Sequence, residues 1–170
     1  MAKRVGLLRK LKLKLKKAGP VTVPVRLCEH RGVPVSVGQY TIYAGGTQHF
    51  QPGDLEGYDL IVPLVEDHRL PVFPDGANVR RYEIQDFQAP PKDFPEFLRE
   101  LIGELEADKK ILIFCVGGHG RTGTVLSGLK WLLEPALGNP IAAVRMQYCR
   151  HAVETQFQIA AILALAQLKP

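Results

Sequence analysis

Residues 110–123 read KILIFCVGGHGRTG, and this stretch decides the fold. Its first six residues form a short, mainly apolar run of the kind that makes a buried strand in a parallel sheet. Three of the next five residues are glycine, which predicts a tight turn, and a helix is predicted to follow from Thr122 to Leu133. A strand, a glycine-rich turn and a helix in this order indicate an α/β protein.

The segments on either side continue this alternation. Runs rich in Val, Ile, Thr and Tyr predict strands, and apolar residues at helical spacing predict helices. The predicted strands are 21–27, 33–44, 59–65 and 79–84, and the predicted helices are 93–107, 139–150 and 155–168. Asp93 with Glu96 predicts a capping box at the first of these helices, and Asn139 before Pro140 predicts an N-cap at the second.

Length and composition favour one folded domain. The chain has 170 residues, of which 46% are hydrophobic and 23% charged, and this excludes a disordered or fibrous protein. Three cysteines do not make a disulfide framework. No apolar run reaches the roughly 18 to 20 residues that a membrane helix needs, and no signal peptide is recognisable. We therefore expect a cytoplasmic protein without a transmembrane segment.

The positive charge is concentrated at the N-terminus. The formal net charge is +5, but residues 1–17 hold eight basic residues and no acidic one, which leaves 14 basic against 17 acidic residues elsewhere. We expect a basic segment, residues 1–19, followed by one domain, residues 20–170. Lysine and leucine alternate at 11–16, as in an edge strand or a solubilising segment. The segment also suits a tether to RNA, DNA or an anionic lipid surface, and both interpretations stay open.

The spacing between Cys115 and Arg121 predicts a phosphate-binding site. A loop of this length can turn its backbone amides inward, glycines permit that conformation, and the following helix adds the positive end of its dipole. Arg121 would grip two phosphate oxygens, and the same field would hold Cys115 as a thiolate. The predicted phosphate-binding residues are Val116, Gly117, Gly118, His119, Gly120 and Arg121.

Cys115 is the predicted nucleophile. Its sulfur would attack phosphorus and form a cysteinyl-phosphate, and the hydroxyl of Thr122 would help the sulfur to leave in the second step. The alternative is a structural cysteine at a glycine-rich turn that binds some other anion. His119 stands at the crown of the loop, where it could tune substrate choice, add charge toward phosphate or point to solvent.

These residues resemble the cysteine-dependent protein tyrosine phosphatase superfamily, whose signature is Cys, five residues, Arg and then Ser or Thr. The Gly-Gly-x-Gly-Arg-Thr-Gly form of residues 117–123 is closest to the dual-specificity branch. The resemblance implies a compact domain with a central, mostly parallel sheet of four or five strands flanked by helices, and a site at the carboxyl end of the Cys115 strand. It also implies hydrolysis of phosphotyrosine, and of phosphoserine or phosphothreonine, in proteins. The family usually has His before the nucleophile, whereas this chain has Phe114.

The leaving group needs a proton, and the family supplies it from an Asp on a loop about 30 residues before the Cys. Asp86, which is followed shortly by Pro90 and Pro91, matches that loop. Asp67 lies too far upstream, and Asp93 is better explained as a helix cap. In part of the family, a Gln-Thr-x-x-Gln pattern positions the attacking water. The run from Glu154 to Gln158 resembles this pattern with Glu in the first place, so Gln158 is the predicted water-positioning residue.

Other substrates and roles remain open at this stage. A related site would serve an RNA 5′-phosphatase or a phosphoinositide phosphatase, and the replacement by Phe114 suits a phosphate-binding module without turnover. Cys28 and Cys149 are either buried structural cysteines or partners in a reversible disulfide that protects Cys115. The spacing of His68, Cys149 and His151 is irregular, and the expected chemistry needs neither metal nor cofactor.

Overall fold

A four-stranded mixed sheet organises the protein. The structure, a computed structural model, describes residues 28–167, so the basic segment and the predicted strand 21–27 lie outside the described residues. The strands are β1 (Arg31–Val37), β2 (Tyr40–Gly46), β3 (Leu60–Pro63) and β4 (Ile111–Cys115). The helices are α1 (Phe94–Glu106), α2 (Gly120–Leu133), α3 (Pro140–Gln147) and α4 (Gln156–Ala164).

The order of the strands brings three carboxyl ends to one edge of the sheet. The order is β1-β2-β4-β3, and both β2 and β3 pair with β4 in parallel. Gly38, with a φ of +59°, turns the predicted strand 33–44 into the antiparallel hairpin β1–β2. Every residue of β3 and β4 is buried, as the apolar runs predicted. The α/β class and the mostly parallel sheet are therefore confirmed.

The central helix is α2, which contacts β4 and the other three helices. Every residue from 120 to 130 is buried, because an interior helix has no solvent face. It begins two residues before the predicted start at Thr122, so Gly120 and Arg121 belong to its first turn. No helix in the range 28–167 is long and apolar enough to cross a membrane.

The predicted cap of α3 is present, and α4 is capped as well. Asn139 Oδ1 accepts a hydrogen bond from the amide of Ala142 at 2.9 Å, although α3 ends at Gln147 rather than at the predicted 150. Thr155 caps α4 through a reciprocal capping box with Gln158. The helix ends at Ala164 and continues as a short 3-10 turn to Gln167.

Two local predictions are wrong. Residues 79–84 run beside β3 but form only one bridge pair, between Ile61 and Val79. The pairing slips, since the amide of Tyr82 bonds to Pro63 and that of Ile84 bonds to Leu64, so no regular ladder develops. Asp93 is the residue before α1, but its side chain makes no cap. Instead its carboxylate accepts a hydrogen bond from the Tyr82 hydroxyl at 3.0 Å, because the aromatic ring stacks against α1.

Candidate active site

Cys115 lies at the floor of the site. It is the last residue of β4, the strand between β2 and β3, and its side chain is 3% exposed. Parallel strands commonly present reactive groups at this end, because the loops that follow them converge there. The preceding Phe114 is fully buried and packs edge-on against Phe50 with ring centroids 5.2 Å apart. Phe114, which stands where the resembled family usually has His, therefore makes an apolar contact in this chain.

Close backbone contacts shape the loop after Cys115. Gly118 has a φ of +73°, a conformation that favours glycine. A Cβ built on Gly46, the last residue of β2, would lie 2.7 Å from the carbonyl carbon of Gly117. The close approach of β2 to the loop therefore requires glycine at both Gly46 and Gly118.

The carbonyl groups of the loop face outward into the protein. The Gly118 carbonyl accepts a hydrogen bond from the Tyr148 hydroxyl at 2.7 Å, and the Val116 carbonyl accepts one from the amide of Gln48 at 3.2 Å. Among residues 28–167, no carbonyl outside the helices and strands accepts a hydrogen bond from the amides of 116–120. The Gly120 amide bonds instead to the Glu154 carboxylate. The other amides of the loop, which lie beside the N-terminus of α2, are suited to hold an anion.

Arg121 is the cation of the site and is only 2% exposed. Its Nη1 donates to Glu66 Oε2 at 3.1 Å and to the Ile84 carbonyl at 3.2 Å. Its Nη2 lies 3.3 Å from Oδ1 of Asp86. A buried guanidinium needs such partners because its charge has lost the solvation of water.

Asp86 is the candidate acid that the structure brings to Arg121. The next residue, Phe87, has a φ of +60°, an uncommon value for a residue with a side chain, and its ring is exposed. The two rival aspartates point elsewhere. Asp67 is exposed and pairs with Arg81, and Asp93 bonds to Tyr82.

Glu66 is a member of the site that the sequence reasoning missed. It follows β3, whose carboxyl end lies at the same sheet edge as Cys115, and this placement is the signal that would have found it. Burial alone would raise the pKa of Glu66, but hydrogen bonds from its own amide and from Arg121 outweigh that effect and lower the pKa. Glu66 is therefore an ionised partner that fixes the guanidinium.

Gln158 lies directly against the first turn of α2. A Cβ built on Gly120 would be 2.9 Å from Gln158 Nε2 and would clash with Glu154 Oε2. Gln158 is fully buried; its Oε1 accepts the amide of Glu154 at 2.8 Å, whereas its Nε2 has no hydrogen-bond partner among the described residues. Burial and then the nearby Asp86 raise the pKa of Glu154, although the Gly120 amide and Arg121 oppose the shift.

The structure shows where the side chains of Thr122 and His119 point, which the sequence did not determine. The Thr122 hydroxyl is buried and donates to the Gly45 carbonyl at 3.4 Å, a long hydrogen bond. The His119 ring turns to Cys149, with Nδ1 3.3 Å from Sγ. Burial and then the neighbouring His151 and His49 lower the pKa of His119, so a charged imidazole facing phosphate is disfavoured.

Comparison with known sequences points to one family. A family model described as "Tc-R-P: Polymorphic toxin system, DSP-PTPase phosphatase" matches residues 55–134, just under half of the chain. An uncharacterized protein of Methanocaldococcus jannaschii is 34% identical over 87 residues, which are 51% of this chain and 54% of that protein. A second one is 37% identical over 76 residues, 44% of this chain and 50% of that protein. The chain thus spans about half the length of the curated relatives it matches.

Solved structures extend the likeness over most of the described fold. Tk-PTP in its active form is 30% identical with a TM-score of 0.62, and the match covers 76% of this chain and 92% of that one. Kinase associated phosphatase is 21% identical with a TM-score of 0.60, covering 75% and 85% of the two chains. The human tyrosine phosphatase-like serine/threonine/tyrosine-interacting protein is 14% identical with a TM-score of 0.60, covering 74% and 91%. The last two show the fold alone.

Proposed function

Because the chain belongs to the cysteine-dependent protein tyrosine phosphatase superfamily, in its dual-specificity-like branch, we propose that it hydrolyses phosphomonoesters through a cysteinyl-phosphate. One observation carries the proposal. A buried cysteine at the end of the central strand and a buried arginine at the start of α2 flank a loop whose amides at 116–119 donate to no backbone carbonyl among the described residues, and the arginine meets Asp86 at 3.3 Å. Nucleophile, anion cradle and acid are thus supplied by three separate elements.

In the first step, the Cys115 thiolate attacks phosphorus. The bond between sulfur and phosphorus forms as the bond from phosphorus to the leaving oxygen breaks, and Asp86 gives its proton to that oxygen. The loop amides and Arg121 hold the three equatorial oxygens, where the charge is spread in the transition state. Glu66 fixes the orientation of the guanidinium, because it binds Nη1 and leaves Nη2 on the side of Asp86.

In the second step, water attacks the phosphocysteine. Its proton passes to the Asp86 carboxylate, the bond between sulfur and phosphorus breaks, and inorganic phosphate leaves. The partnerless Nε2 of Gln158 beside Gly120 supports a role in holding this water. Thr122 would need to turn its hydroxyl from Gly45 toward the sulfur in order to assist the departing thiolate.

We propose phosphotyrosine in proteins as the preferred substrate, with phosphoserine and phosphothreonine as the wider range. The names of the family model and of the solved relatives support phosphoprotein substrates. An open cleft of about 480 Å³ beside the loop has room for residues that flank a phosphorylated side chain. Its lining residues are His119, Arg145, Arg150, His151, Val153 and Glu154. The cytoplasmic location and the tether role of residues 1–17 stay predictions.

A panel assay tests the activity and the substrate class together. The full chain would be assayed with peptides carrying phosphotyrosine, phosphoserine and phosphothreonine, with 5′-triphosphate RNA and with phosphoinositide vesicles. We expect the highest kcat/KM on phosphotyrosine and no turnover by Cys115→Ser, which should still bind the peptide. Acid quenching during turnover should leave phosphate on the peptide that contains Cys115, detected by mass spectrometry.

Each proposed point has an outcome that contradicts it. Higher kcat/KM on RNA or on lipid would overturn the phosphoprotein assignment. Equal phosphopeptide binding by the wild type and Cys115→Ser, with turnover by neither, would identify a binding module. Persistent turnover by Cys115→Ser would remove the cysteinyl-phosphate.

A further inference from the structure

Four metal-ligating side chains that the proposed reaction does not use converge behind the phosphate loop. They form the thiol–imidazole cluster, which consists of Cys28, His30, His119 and Cys149. The first two lie just before β1, the third belongs to the loop and the fourth follows α3. One possible ligand atom from each lies within 4.8 Å of the other three. Three separate segments of the chain thus bring two thiols and two imidazoles to one point.

The spacing of these atoms is close to that of a tetrahedral metal site. Sγ of Cys28 lies 3.5 Å from Sγ of Cys149, and Nδ1 of His119 lies 3.3 Å from the latter. In tetrahedral zinc sites, with Zn–S of about 2.3 Å and Zn–N of about 2.0–2.1 Å, neighbouring ligand atoms are separated by roughly 3.3–3.8 Å. The measured edges fall in this range, and small side-chain rotations would bring the remaining atoms into it.

His30 supplies an independent indication that a ligand belongs in the cluster. Its side chain is 3% exposed, and neither ring nitrogen has a hydrogen-bond partner among the described residues. A buried polar group without a partner costs free energy, and such groups are rare in folded proteins. The ring is fixed between Tyr148 and the loop, with centroids 4.5 Å apart from the tyrosine ring and 5.0 Å from that of His119. A metal ion would satisfy a nitrogen that the protein leaves free.

We propose that the thiol–imidazole cluster binds one zinc ion in closed, four-coordinate geometry. Two sulfurs and two imidazole nitrogens select a borderline or soft cation, whereas calcium and magnesium prefer oxygen. Binding releases the thiol protons, since the ion takes thiolates. A disulfide between the two cysteines would use the sulfurs alone and leave His30 without a partner.

The position of His119 couples this ion to the loop. The residue stands between Gly118 and Gly120, so an ion bound to its ring would fix the crown of the loop to the segment before β1 and to the end of α3. We therefore expect metal removal to lower the melting temperature and to weaken phosphate binding. The second effect rests on the proposed function, whereas the metal site itself does not.

Cobalt titration of the reduced, metal-free full chain tests the site directly. We expect one equivalent of Co²⁺ to bind with the intense visible bands of tetrahedral cobalt and a thiolate-to-cobalt charge-transfer band. One equivalent of Zn²⁺ should abolish both signals and raise the melting temperature. Cys28→Ser should weaken binding by about tenfold or more, because it removes a direct ligand. The readout is spectroscopic, so a protein without phosphatase activity would still give a clear answer.

Two controls separate this site from other thiol chemistry. Cys115→Ser should keep the cobalt spectrum, because the catalytic thiol is not a ligand, and His68→Gln, an exposed imidazole outside the cluster, should also keep it. Loss of the spectrum in Cys115→Ser would place the ion at the catalytic sulfur and overturn the proposal. Octahedral cobalt bands, absence of binding by the reduced wild type, or an unchanged spectrum in a folded Cys28→Ser variant would each do the same.

Discussion

Nη2 of Arg121 lies 3.3 Å from Oδ1 of Asp86, so the first turn of α2 and the loop of the proposed acid meet at one ion pair. The same guanidinium binds Glu66 and the Ile84 carbonyl through its other terminal nitrogen. Arg121 therefore holds the proposed acid beside the loop that follows Cys115. Bound phosphate would compete with Asp86 for Nη2.

Asp86→Asn should slow the first step selectively. The amide cannot donate a proton to the leaving oxygen, so we expect kcat on a phosphotyrosine peptide to fall by about 10²–10⁴-fold. Aryl phosphates whose leaving group is a weak base should lose much less, because such a group needs little help from an acid. Asp67→Asn, which alters an exposed aspartate paired with Arg81, is the control. Equal losses on both classes of leaving group would contradict the role of Asp86 as the acid.

Glu66→Gln should impair phosphate binding more than chemistry. Loss of the charge that fixes Arg121 should raise KM by about tenfold with a smaller change in kcat, since a hydrogen-bond acceptor remains. The pKa of Glu66 is lowered in the folded protein, so its contribution to stability is present above its ordinary pKa of 4.5 and is lost as the pH falls through the folded value. Thermal melts of the variant should therefore vary less with pH in that acidic range. The exposed Glu56→Gln should change neither KM nor the melts.

Glu154→Gln should have the opposite dependence on pH. Burial and the charge of Asp86 raise the pKa of Glu154, so the ionised side chain is less favourable in the folded chain than in the unfolded one. The folded state binds the extra proton between the ordinary pKa of 4.5 and the raised value, and wild-type stability falls as the pH rises through that window. The variant should melt higher than the wild type above this window and show no gain below it. An unchanged difference across the window, with Glu106→Gln as reference, would refute this account.

Gly46→Ala, a substitution on β2, should distort the neighbouring loop that follows Cys115. The φ of Gly46 is −141°, which alanine adopts freely, so the effect of the substitution depends only on whether the added methyl group fits. The new Cβ would lie 2.7 Å from Gly117, and the backbone there has little freedom to move. We expect a lower melting temperature and a loss of kcat/KM of about tenfold or more, the scale of a misplaced catalytic group. Gly138→Ala, where a Cβ meets nothing within 4 Å, should change neither quantity.

Local patterns predicted the elements that depend on short-range physics. The apolar run of β4, the glycines after it and the Asn139 cap each have causes within a few residues. The Asp93 cap was predicted wrongly because its carboxylate accepts a hydrogen bond from the hydroxyl of Tyr82 instead of from the first turn of α1. The predicted strand 79–84 failed because its register against β3 slips, which no property of that segment alone reveals.

The sequence by itself determined the loop that we propose as a phosphate cradle, because Cys115 and Arg121 lie at the two ends of one short segment whose conformation glycines permit. Only the tertiary structure decided which carboxylates meet Arg121, and it assembled the thiol–imidazole cluster from three segments. The physical reason is that sheet order and helix packing set distances between residues far apart in the chain. Spacing along the sequence carries no record of those distances.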